Sequence, residues 1–176
     1  MRLSTLLPAL ALVVAPAAVA GDDTLVSDAH AVIQTFKKKD PHIDKFFGSA
    51  AGYVVFPTIA KGGFVVGGAG GDGVLFVGGH PVGKSSMGQA SVGFQLGGQT
   101  YSEIIFFENA STLSDFKKGN FALAAQASAV ALSAGAAATA NYENGVAIFT
   151  ATKPGLMYEA SVGGQQFGYH PFGGKK

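Results

Sequence analysis

The residues Gly78-Gly79-His80-Pro81-Val82-Gly83-Lys84-Ser85 spell G-x-x-x-x-G-K-[ST], the pattern in which backbone N–H groups and a lysine hold nucleotide phosphates. That chemistry needs a helix to open directly after the loop, with its N-terminus facing the phosphates. The residues that follow are poorly suited to one. Residues 86–98 contain Gly88, Gly93, Gly97 and Gly98 and alternate with a period of two. The motif therefore reads as a hairpin, and no nucleotide partner is expected. Gly68-Ala69-Gly70-Gly71-Asp72-Gly73 likewise fits G-x-G-x-x-G but runs into Val74-Leu75-Phe76-Val77, a strand pattern where a dinucleotide fold starts a helix. A turn between two strands is expected there.

The other reactive residues form no recognised constellation. His30, His42, His80 and His170 lack the spacing of a metal motif, so no metal or other cofactor is expected. Ser85, Ser86 and Ser91 sit in no nucleophile elbow. Glu103 and Glu108 flank Ile104–Phe107 at an odd offset, which on a strand sends them to opposite faces and suits them to strand ends rather than to acid–base catalysis. No catalytic residue is assigned, and the chain is expected not to be an enzyme. The lysines fit a different chemistry. Lys37, Lys38, Lys39 and Lys45 form a basic patch beside Phe46 and Phe47. Such a patch attracts anionic headgroups at about 1 kcal/mol per lysine near a charged surface. The same residues also suit a solvated helix end.

Composition narrows the setting. Met1-Arg2, an apolar run over Leu3–Val14 and the small-x-small pattern Ala18-Val19-Ala20 predict a signal peptide over residues 1–20. Pro8 and Pro16 interrupt a stretch already short for a membrane span. Removing 20 of the 176 residues leaves 156, expected to fold as one domain over 21–176 in the periplasm or outside the cell. Arg2 is the sole arginine, so without it Lys+Arg falls from 12 to 11 and balances the 11 Asp+Glu. A neutral domain has no basic field for broad nucleic-acid binding. With no cysteine, disulfides, thiolate metal sites and thiol catalysis are excluded together. The 26 glycines, none before residue 21, suit a fold rich in turns and close backbone contacts.

The elements that must position these residues follow from periodicity. Leu25, Ala29, Val32, Ile33 and Phe36 make one apolar helical stripe, with Lys37–Lys39 at the end where cations favour the helix dipole. Asp40-Pro41 predicts the cap and first position of a second short helix, which turns Ile43, Phe46 and Phe47 inward and ends at Gly48. Strands are predicted at Tyr53–Phe56 (closed by Pro57), Phe64–Gly68, Val74–Val77, around Val92, Phe94 and Leu96, and at Tyr101–Phe107 after a turn at Gly97-Gly98-Gln99. Ser111–Lys118 predicts a helix capped by Ser111. Residues 121–140 are alanine-rich, which favours helix. However, Gln126-Ala127-Ser128 repeats Gln89-Ala90-Ser91, and on that similarity a strand is preferred. Val146–Thr152, a Lys153-Pro154-Gly155 turn and Leu156–Val162 complete a hairpin, with Gly173–Lys176 a loose tail. The expected fold is α+β and mainly β: an antiparallel glycine-rich meander or partly closed barrel, short N-terminal helices, and one helix between two β halves.

Two blocks carry a family resemblance. Phe56-Pro57-Thr58-Ile59-Ala60-Lys61-Gly62-Gly63-Phe64 with Gly67-Gly68, and Gln89–Gln99 running into Tyr101–Phe107, resemble the SYLF domain, also called the Ysc84 actin-binding family. The similarity continues through Leu113 and Phe116 to Gly155-Leu156. The resemblance implies a lipid-binding module without catalysis. It places Lys61 as the best-matched basic residue and the Lys37–Lys39 helix at the position of a basic segment in lipid-binding members. The lysines Lys37, Lys38, Lys39, Lys45 and Lys61 are therefore the candidate contacts for anionic phospholipid at the cell envelope. The alternative is a structural or protein-interaction domain with an envelope protein partner. Actin binding would apply only to a eukaryotic source.

Overall fold

A computed structural model describes residues 17–63, 66–92, 99–124, 127–152 and 162–173. The chain is α+β and mainly β, as expected. Helix α1 runs Ala17–Lys39, and Pro41–Ile43 makes one 3₁₀ turn before α2, Asp44–Ser49. Strands β1 (Gly52–Gly63), β2 (Val66–Val77), β3 (His80–Val92) and β4 (Gln99–Phe107) precede α3 (Ala110–Lys117). After β5 (Val130–Ala131) and α4 (Ala136–Thr139) come β6 (Val146–Thr152) and β7 (Gln166–Pro171).

The seven strands form one sheet in the order β5-β6-β4-β1-β2-β3-β7. All neighbours are antiparallel except β5 and β6, which pair in parallel at two positions. The sheet stays open. Its two ends are nevertheless spanned by residues 121–124 and 127–131, called the strap here. Leu123 N–H donates to the Gln165 carbonyl at 2.9 Å beside β7, and Ala122 bridges to Gln166. The strap then reaches β6, where Val130 pairs with Phe149.

Both faces of the sheet are covered, which explains why β1 reads as a continuous apolar run rather than an alternating one. Tyr53 and Val55 face α1, α2 and α4 together with Val74, Phe76, Ile104, Phe106 and Phe149. Val54 and Phe56 face the strap and α3 together with Leu75, Ile105, Phe107, Phe116 and Phe167. The stripe expected on α1 is borne out: Ala29, Ile33 and Phe36 are buried, with Leu25 and Val32 partly so. It extends into a longer helix than expected, 23 residues that include the Ala18-Val19-Ala20 pattern in its first turn.

Several local expectations are corrected. Pro57 does not close β1. A bulge between Phe56 and Ile59 absorbs it, and Ser102 Oγ donates to the Pro57 carbonyl at 2.7 Å. The Ala69–Gly73 segment is not a turn but the middle of β2, paired with β3 throughout and with β1 at Ala69 and Gly70, while Gly71–Gly73 lie opposite the bulge. Its glycines make room for that bulge: a Cβ on Gly73 would sit 2.6 Å from Cδ1 of Phe56 and 2.7 Å from the Val55 carbonyl. The cap of α3 is Asn109, whose side chain accepts the Thr112 N–H at 2.9 Å, and Ser111 lies inside the helix. Residues 121–140 are neither one strand nor one helix, because their backbone groups are shared among β7, β6 and the single turn of α4. Residues 1–16, Phe64-Val65, the stretch with Phe94, Leu96 and Gly97-Gly98, the Lys153-Pro154-Gly155 turn with most of Leu156–Val162, and 174–176 lie outside the described residues.

Candidate functional site

The G-x-x-x-x-G-K-[ST] match is the β2–β3 hairpin. Gly78 and Gly79 take φ values of 60° and 79°, the two left-handed positions of a tight turn, and Val77 pairs with His80. Strand β3 follows directly. Its two motif side chains are already engaged: Lys84 Nζ lies 3.0 Å from Asp72 Oδ2, and buried Ser85 Oγ donates to the Gly168 carbonyl at 2.8 Å.

Four of the five candidate lysines gather where α1 meets α2, and they differ in freedom. Lys37 Nζ pairs with Asp44 Oδ1 at 2.9 Å and lies 4.6 Å from the Phe47 ring centre. Lys45 Nζ donates to the carbonyls of Ala138 (3.0 Å) and Ala140 (2.8 Å), holding the C-terminal end of α4. Lys38 and Lys39 are exposed and make no ion pair among the described residues. The apolar side chains beside them are not free to enter a membrane: Phe36, Ile43 and Phe46 are buried against the sheet. Lys61 stands apart. It is 8% exposed and lies opposite Ala69 of the strap-facing core, on the other side of the sheet from α1.

Asp40 ties this corner together. Its side chain meets no solvent and accepts the His42 N–H (3.2 Å), a His42 ring bond (2.8 Å) and the Ala137 N–H (2.7 Å). Burial pushes its pKa up, but bonds from Ala137, His42 and Gly135 together outweigh it and hold the carboxyl at about 2.

A second polar group lies where the sequence pointed to no site. Glu103 is not a strand-end residue: it is fully buried on the strap side of β4, in line with Tyr101 and Ile105. Gln165 Nε2 donates to Glu103 Oε2 at 3.1 Å. Glu103 Oε1, Gln165 Oε1 and the Tyr101 hydroxyl have no hydrogen-bond partner among the described residues. Burial pushes Glu103 up to about 7, with the Gln165 amide pulling slightly the other way. Burial and then the neighbouring Glu103 raise Tyr101 above its ordinary value; Gln165 tempers that rise from outside good hydrogen-bond geometry. The signal was the Tyr-x-Glu spacing, which puts both side chains on one face, but Gln165 lies 62 residues away. No helix among the described residues is long and apolar enough to cross a membrane, and no metal-holding cluster occurs among them.

This architecture defines an α+β domain with its sheet sealed on both faces. Residues 88–168 match the family model Ysc84, described as Las17-binding protein actin regulator, a little under half of the chain. That match agrees with the family resemblance carried by the second sequence block, while the block with Lys61 lies before the matched residues. That family comprises lipid- or actin-related binding modules and is not a known enzyme family. No curated protein matches the chain.

Proposed function

We propose that this chain is an exported, non-catalytic lipid-binding module that contacts anionic phospholipid at the cell envelope through the lysines at the end of α1. The observation that carries this reading is the pair Lys38 and Lys39, exposed and without ion pairs among the described residues, at the close of a helix whose apolar side is already buried. The contact is then electrostatic and shallow. Two free lysines supply roughly 2 kcal/mol, an enrichment of about 30-fold, which makes binding weak and sensitive to salt. Lys37 and Lys45 add less, since each is already engaged. Lys61 plays no part at a flat membrane unless the strap side opens. The signal peptide over residues 1–20 and the periplasmic or secreted location belong to this proposal.

Liposome flotation tests it. Vesicles containing phosphatidylglycerol should retain the protein at low salt and release it at high salt. Replacing Lys38 and Lys39 by glutamate should abolish retention. Equal retention on neutral and anionic vesicles would sink the idea.

A protein-interaction role is the second reading, supported by a surface with few side chains. Ala60, Gly88 and Ala90 are exposed and Gly68 and Gly70 half-buried across β1, β2 and β3. Cross-linking in delipidated envelope extract separates the two readings, because a protein partner survives delipidation and a lipid contact does not.

A further inference from the structure

We propose that the pocket beneath the strap and the Tyr101–Glu103–Gln165 group form one binding site. Its ligand is a small amphipathic molecule with an apolar body and a hydrogen-bond-donating head, an alcohol or an amine. The pocket has a volume of about 330 Å³. Phe121, Leu123, Val146 and Ile148 give it apolar walls, and Ser128 and exposed Glu143 lie at its mouth. That size falls at the lower end for small-molecule sites, which combine such walls with a few placed polar groups.

The polar group lies close by in the fold. Leu123 of the pocket wall exchanges two backbone bonds with the turn that carries Gln165: its N–H reaches the Gln165 carbonyl at 2.9 Å, and its carbonyl accepts from Gly164 at 3.0 Å. Ile148 lies opposite Ile105, and two residues further along the same face Thr150 lies opposite Glu103, about 7 Å away at strand spacing. Gln89 Nε2 fixes the same turn by donating to the Gly163 carbonyl at 2.8 Å.

The chemistry of the head follows from the three unpartnered oxygens. Buried polar atoms in folded proteins almost always find a partner, and here three from neighbouring side chains do not. An amide oxygen only accepts, as does Glu103 once it is ionised above about pH 7, and a phenol can do either, so at that pH their complement is a donor. Glu143 at the mouth further opposes an anionic ligand.

Soluble eight-carbon probes below their aggregation limit, at about pH 8 where Glu103 is ionised, test this on the full chain. Octan-1-ol and octylamine are expected to bind saturably by calorimetry, with amide shifts at Leu123 and Gln165, and octanoate at least tenfold more weakly. Tyr101→Phe, which removes one oxygen and keeps the ring, should weaken octan-1-ol binding severalfold. Ala124→Trp, at an exposed position of the pocket lining, should abolish binding of both. Replacing Lys38 and Lys39 by glutamate should change neither, which keeps this test separate from that of membrane binding. Three outcomes overturn the proposal: no probe binds, the three bind alike, or correctly folded Tyr101→Phe and Ala124→Trp proteins bind as the parent does.

Discussion

Asp40 Oδ2 accepts the backbone N–H of Ala137 at 2.7 Å, joining the end of α1 to α4, 97 residues further along the chain. The same carboxylate holds His42 and caps the 3₁₀ turn. One side chain therefore fixes the angle between α1 and α2, the corner where Lys37–Lys39 and Lys45 meet. Its pKa of about 2 lies below the ordinary 3.8. The ionised carboxylate thus contributes stability in full above about 3.8 and loses it as the pH falls towards 2. Asp40→Asn is expected to lower Tm by a few degrees at pH 7, with the gap closing towards pH 2. Thermal melts across that range check it, and a gap that persists unchanged at pH 2 contradicts the account.

Glu103 behaves in the opposite sense. Its folded pKa of about 7 exceeds the ordinary 4.5. Between those values the unfolded chain has released the proton that the folded chain keeps, so stability falls as pH rises from about 4.5 to 7 and is level above. Glu103→Gln should remove that slope and leave the protein more stable than the parent at pH 8, by a few kcal/mol at most. Urea unfolding at pH 5 and pH 8 decides it. Parallel pH profiles for parent and variant would rule out a buried, proton-holding Glu103.

Adjacent residues of the phosphate-loop look-alike should respond very differently. The Lys84–Asp72 pair is half in solvent, with side chains 39% and 52% exposed, so Lys84→Ala should change stability by less than about 1 kcal/mol. Ser85→Ala removes the buried donor to the Gly168 carbonyl and should cost about 1–3 kcal/mol. Neither should alter binding of a fluorescent ATP analogue. A nucleotide-dependent rise in Tm that Lys84→Ala removes would overturn the hairpin assignment.

Glycine replacements should separate by position. Gly73→Ala forces a methyl against Phe56 and the Val55 carbonyl and should cost about 1–3 kcal/mol. Gly48, in α2 with nothing within 4 Å of its would-be Cβ, should tolerate alanine and gain up to about 1 kcal/mol. Equal denaturation midpoints for the two variants would show that the bulge in β1 relaxes freely.

What the sequence made legible was whatever is encoded by neighbours. The α1 stripe is a 3.6-residue period, Asp40-Pro41 is a local stop and start, and Gly78-Gly79 between two apolar runs permits the left-handed backbone of a tight turn. The errors came from partners distant in sequence. The glycines of β2 look like a turn because their reason, the Pro57 bulge, is on another strand. The strap is alanine-rich, and its described residues satisfy parts of two sheet ends, so neither helix nor strand propensity describes it. For the candidate site, the lysines' place at a helix end was readable, but nothing local distinguishes buried Lys61 from exposed Lys38. Glu103 looked like a strand boundary because its partner Gln165 is remote.

The strand order also dictates when the sheet can be finished. β1, β2 and β3 pair with chain neighbours, but β3 gains its outer partner only when β7 arrives, and the Ser85–Gly168 bond spans 83 residues. Contacts of such long range form late, because loop closure must come first. During synthesis, β3 is an unguarded edge until the last residues are available, open to the β7 of another copy as readily as to its own. Domain-swapped dimers joined through β7 are the expected misassembly at high concentration, and chains truncated before residue 166 should aggregate where the full chain stays dispersed.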